Sequence, residues 1–128
     1  MPKSQKFLGV VSALWGLVAI ALGAYIHHGT NLTDPAMASL ETALLYNLVF
    51  AAITFLMVDK LAAKSLWFIL SAWMFLVGSF IFCASLYNKY LLDLEALGSF
   101  APWGGIIIML GWLMASVGFL TARYRTAD

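Results

Sequence analysis

LWFILSAWMFLVGSFIFCASLY, residues 66–87, holds 22 positions without one charged side chain. At a rise of about 1.5 Å per residue such a run spans about 33 Å as a helix, and crossing a bilayer's hydrocarbon core takes roughly 20 apolar residues. Working outward, three more runs of that kind appear: Phe7 to Ile26, Ala38 to Val58 and Ala101 to Leu120. None contains Lys, Arg or Asp. The second is the most diluted, by Ser39, Glu41, Thr42, Asn47 and Thr54, but its strong neighbours and short connections favour spanning. The expected fold class is therefore all-α: a four-helix transmembrane bundle, antiparallel and up-down, forming a single integral membrane domain over residues 1–128.

The composition agrees. Of 128 residues 63% are hydrophobic and 15% aromatic, while seven cations and six anions make up 10%. A soluble chain this small leaves much of itself at the surface and would need far more charge to cover it. The net charge of +1 offers no basic field, so nucleic acid is not an expected partner. The lone cysteine, Cys83, lies inside an apolar run and excludes an internal disulfide.

Thr33-Asp34-Pro35 marks the start of the second helix, since Thr or Asp can cap it and Pro fits a first turn. In the longest loop, residues 91–97 have apolar residues at helical spacing and are expected along the interface until Gly98 breaks them. Cation placement sets orientation. Lys3 and Lys6 precede the first span, Lys60 and Lys64 follow the second, and Arg123 and Arg125 follow the fourth; Lys89 alone lies opposite, with Asp34, Asp93, Glu95 and Glu41. Both termini are expected to be cytoplasmic. The first run is too long for the core of a cleaved signal peptide, which is about 7 to 15 residues.

Small residues recur every seven positions on three helices: Gly9, Gly16 and Gly23; Ser71, Gly78 and Ser85; Gly104, Gly111 and Gly118. Lipid gives helices no hydrophobic drive to associate, so close approach through small side chains must do it. A seven-residue repeat keeps each stripe on one face and predicts left-handed crossings near 20°. Trp15, Trp73 and Trp112 are expected to fill space beside these stripes, and Tyr25, Tyr87, Tyr90, Trp103 and Trp67 to form interfacial belts.

Polar groups at membrane depth are the candidates for function. Asn47 and Thr54, one heptad apart, share a face; the simplest reading is hydrogen bonding between helices, the sharper one a polar site for a solute. Ser39, Thr42 and Tyr46 share another side with Glu41 nearly opposite, where Glu41 could meet His28. His27 and His28 are adjacent and diverge on a helix, so no metal is expected, although His28, Glu41 and Asp34 could supply three ligands at the outer surface. No nucleotide loop, no nucleophile beside a base and no paired intramembrane carboxylate is present, so neither an enzyme nor a cofactor is expected.

Read in order, Ala21-Leu22-Gly23-Ala24 with His28, Thr42 and Tyr46, Gly78 with Ser85-Leu86-Tyr87, Pro102-x-Gly104-Gly105 and Gly111-Trp112 resemble the YgdD-like family of small bacterial inner-membrane proteins of unknown function, which has mitochondrial relatives. The resemblance covers nearly the whole chain and implies a four-span protein of the bacterial inner membrane. Leu45 and Phe50 stand where the family typically has a Glu and a His. The expected role is a non-enzymatic accessory, assembly or self-associating membrane protein, touching lipids and a second copy or another membrane protein. The alternative is an oligomeric transporter or channel for an ion or small solute, lined by Asn47, Thr54, Tyr46 and His28.

Overall fold

The computed structural model describes residues 3–122, so Arg123 and Arg125 of the cation count lie outside the described residues. It contains α1 (Lys3–Gly29), α2 (Asp34–Lys60), α3 (Leu66–Leu91), a short 3-10 turn (Glu95–Phe100) and α4 (Ala101–Thr121), with no strand among the described residues. Four helices, the last counted together with its 3-10 turn, are long and apolar enough to cross a membrane. They exceed the apolar runs because hydrogen bonding continues through polar flanks once a helix is nucleated.

The helix ends follow local chemistry. Thr33 rather than Asp34 caps α2, its Oγ1 accepting from the Ala36 amide at 3.4 Å while Pro35 occupies the first turn. Ser65 caps α3 by accepting from the Trp67 amide, and its hydroxyl lies 2.9 Å from that of Thr121, tying the start of α3 to the end of α4. Asp93, at φ 56°, turns the chain after α3. Gly98 does not break the following segment, as its glycine suggested. It lies inside the 3-10 turn, where the Lys89 side chain occupies the space beside its Cα.

Helix α3 is the centre of the packing. A methyl built on Gly104 would lie 2.5 Å from the Phe82 amide nitrogen and 2.7 Å from the Gly78 carbonyl; at Gly111 and Gly118 it would meet the rings of Phe75 and Phe68 at 2.8 and 2.7 Å. The α3 and α4 backbones thus approach through the glycines of α4, and the Ser71 hydroxyl donates across the gap to the Gly111 carbonyl at 2.7 Å. Helix α1 is different. A methyl on Gly16 or Gly23 would make ordinary contacts at 3.6 and 3.8 Å with Ala51 and Leu44, and Gly9 has nothing within 4 Å. Ser85 donates within its own helix, to Ile81. Among the described residues, no Cα of α4 comes within 8 Å of one in α1 or α2. The core lies mainly along α1, α2 and α3, around Leu8, Ile26, Leu40, Phe68 and Phe75, with Ile108 joining it from α4.

Candidate functional site

The polar side chains of α2 separate into three environments. Asn47 and Thr54 are both 0% exposed. Asn47 Nδ2 donates to the Tyr87 hydroxyl on α3 at 2.9 Å, while Asn47 Oδ1 and Thr54 Oγ1 have no hydrogen-bond partner among the described residues. A heptad separation explains why both face inward: seven residues bring a helix nearly back to the same azimuth. Beside them the Cys83 thiol donates to the Ala43 carbonyl at 3.1 Å. Farther along α3, Trp15 Nε1 reaches from α1 to Ser79 Oγ at 3.2 Å, and Ser79 in turn donates to the Leu76 carbonyl. Asn47, Trp15 and Cys83 thus each link one helix to another.

Tyr87 therefore departs from its expected place in an interfacial belt. It is a buried partner of Asn47, because hydropathy position fixes a residue's depth but not the side of the helix it occupies. Tyr90 is likewise engaged, accepting from Ser39 at 3.4 Å with Lys89 Nζ 5.0 Å above its ring. Thr42 donates back to its own helix, to Ala38. Tyr25, Trp103 and Trp67 are exposed.

His28 and Glu41 are both exposed, and no ion pair or hydrogen bond joins them. Among the described residues no three His, Cys, Asp or Glu side chains are grouped to hold a metal, so His28, Glu41 and Asp34 are not brought together. Tyr46 occupies a third environment. Its ring stacks on Phe82 at 4.8 Å and meets Phe50 edge-on at 5.9 Å, on a groove between α2 and α4. The residues named for a solute path thus do not share one: Asn47 and Thr54 are enclosed, Tyr46 faces outward, and His28 is at a helix end.

Two grooves complete the picture. Between α1 and α2, about 650 Å³ is lined by Lys6, Gly9 and Val10 on one side and Phe55, Val58 and Asp59 on the other. Lys6 and Asp59 are exposed there, and Asp59 lies 3.2 Å from its sequence neighbour Lys60. Between α2 and α4, about 530 Å³ is lined by Tyr46, Phe50, Phe82, Gly105 and Trp112 among others. Trp112 does not fill space inside the protein as expected. It is 52% exposed, with its ring edge-on to Phe75 at 4.8 Å. The signal for Gly105 was its place beside Gly104, which spacing alone did not separate from a packing glycine.

A profile described as "Protein of unknown function (DUF423)" matches residues 21–105. Over 125 residues the chain is 30% identical to the UPF0382 inner membrane protein YgdD of Escherichia coli strain K12, covering 95% of each. It is 26% identical to a UPF0382 membrane protein of Staphylococcus aureus over 86% of this chain and 92% of that protein. A UPF0382 membrane protein of Staphylococcus epidermidis is 27% identical over 91% and 97% respectively. No solved structure matches at a significant level.

Proposed function

Given that this chain belongs to the DUF423 family of proteins of unknown function, we propose that it is a bacterial inner-membrane protein without catalytic activity that acts by lateral contact and associates with a second copy of itself. In this reading the four helices cross as one up-down antiparallel unit with left-handed packing and both termini in the cytoplasm. The cation count supports that orientation, and the name of the Escherichia coli relative supports the membrane.

The observation that carries the reading is Gly9. A helical glycine in lipid is useful where another backbone comes close, and among the described residues no atom beyond its own stretch of helix lies within 4 Å of where its Cβ would be. The groove beside it presents a cation, Lys6, and an anion, Asp59, on opposite walls. A two-fold interface is self-complementary, so Lys6 of one copy can face Asp59 of the other and the reverse. The polar groups inside the chain are largely spent on links between helices, which leaves contact as the main chemistry available.

The mass of the chain in lipid nanodiscs, measured by light scattering, tests this. Wild type is expected as a dimer, and Gly9→Leu as a monomer that still folds, because the space beside Gly9 is open. Asp59→Lys should weaken the dimer, and the exchange Lys6→Asp with Asp59→Lys should restore it. A monomeric wild type, or a dimer indifferent to Gly9→Leu, would contradict the proposal.

A further inference from the structure

The two glycines of Pro102-x-Gly104-Gly105 do different work. Gly104 is required by the backbone of α3, whereas a methyl on Gly105 would meet no atom within 4 Å. Glycine weakens a helix relative to alanine, and packing supplies no reason for it at 105. What Gly105 does is leave the α2–α4 groove open.

Two residues that line this groove carry unpaired donors. Tyr46 is 36% and Trp112 52% exposed, and neither the tyrosine O–H nor the indole N–H is hydrogen-bonded to a described residue. Each lies about 12 Å along its helix from the nearer end of its span, which places both in hydrocarbon. Water is not available there, and an unpaired donor in hydrocarbon is costly. The walls are aromatic, with Tyr46 stacked on Phe82 at 4.8 Å and Phe50 6.1 Å from Trp112. No charged side chain lines the groove, so its occupant is uncharged.

We infer that the α2–α4 groove binds a neutral, lipid-soluble ring compound bearing carbonyl oxygens, of the quinone class, packed against the aromatic wall of Phe50 and Phe82 and accepting from Tyr46 O–H and Trp112 Nε1–H. A phospholipid chain offers no acceptor at this depth, because its ester carbonyls lie at the interface. A helix of a second copy could accept through a backbone carbonyl, as Gly111 and Ala43 do within this chain, but would keep decylubiquinone out of the groove. The ring compound satisfies both donors and enters sideways from the bilayer, its tail remaining in lipid. Gly105 leaves room for its edge.

Decylubiquinone titrated into the chain in phosphatidylcholine nanodiscs, read by tryptophan emission, tests the assignment, since quinones quench indole fluorescence at short range. Wild type is expected to show a saturable quench that disappears in Trp112→Phe. Gly105→Leu should weaken binding at least about tenfold by filling the groove, and Tyr46→Phe about three- to tenfold by removing one hydrogen bond. Leu113→Phe, on the exposed surface of α4 outside the groove, should change nothing. A quench linear in quinone and equal in every variant would mean simple partitioning into lipid and would overturn the proposal. So would saturable binding indifferent to both Gly105→Leu and Tyr46→Phe, or a copurifying phospholipid that decylubiquinone does not displace. Should Gly105→Leu fail to fold, Tyr46→Phe alone decides.

Discussion

Asn47 and Tyr87 share a hydrogen bond while 0% and 8% exposed, and in lipid neither finds a replacement for the other. Removing the tyrosine hydroxyl leaves the Asn47 amide wholly unpaired, so Tyr87→Phe should destabilise the chain by roughly 1 kcal/mol, the scale of such bonds within membranes. The double variant Asn47→Leu with Tyr87→Phe should recover most of that loss, since no orphaned group remains. Unfolding in mixed micelles measures both. Thr54 carries the opposite sign. Its hydroxyl is buried without a partner, so Thr54→Val, close in shape, should be neutral or stabilising by up to about 1 kcal/mol. Destabilisation by Thr54→Val would show that the hydroxyl is in use. The heptad separation made the shared face of Asn47 and Thr54 legible in the sequence. The partner on α3 was not, because Tyr87 sits near a span's end and depth alone made it resemble a belt residue.

Helices α1 and α4 carry the same seven-residue glycine repeat and use it differently. On α4, the atoms facing Gly104 belong to the backbone of α3 and cannot yield, so Gly104→Ala should cost about 1–3 kcal/mol as overpacking. At Gly118 the obstacle is the Phe68 ring, which can shift, and the loss from Gly118→Ala should be smaller. Gly9→Ala meets nothing, so within one copy it should be stabilising by up to about 1 kcal/mol through helix propensity. Thermal unfolding in detergent, dilute enough to be monomeric, ranks the three. Equal losses at Gly9 and Gly104 would contradict the packing described. Periodicity reveals which residues share a face, but not what that face meets. That is why four helices and a cap at Thr33-Asp34-Pro35 could be read from residues, while the looseness of α1 and the burial of Tyr87 could not. Gly98 misled for a related reason: a glycine ends a helix by taking a positive φ, and no described glycine does so here.

At the scale of the molecule, α3 is flanked by α2 and α4, and α1 attaches mainly to α2 with the Trp15–Ser79 bond reaching α3. Apolar residues such as Val10, Leu17, Met109 and Leu113 cover the outside, as suits a chain whose solvent is lipid. The cation count predicts that single cysteines at positions 60 and 89, in a background with Cys83 replaced by serine, label from opposite sides of the membrane. Labelling from one side would contradict four crossings. Self-association is the centre of the functional account, and it concerns one face, around Gly9. Val10 lies on that face, 60% exposed, whereas Cys83 is fully buried and contributes no background. Oxidising Val10→Cys in native membranes and resolving the product on a non-reducing gel is the most direct test. The account predicts a disulfide-linked dimer that forms with Val10→Cys, is absent with Leu113→Cys on α4, and is lost when Gly9→Leu is added. Equal crosslinking at both positions, or none at Val10→Cys, would contradict it.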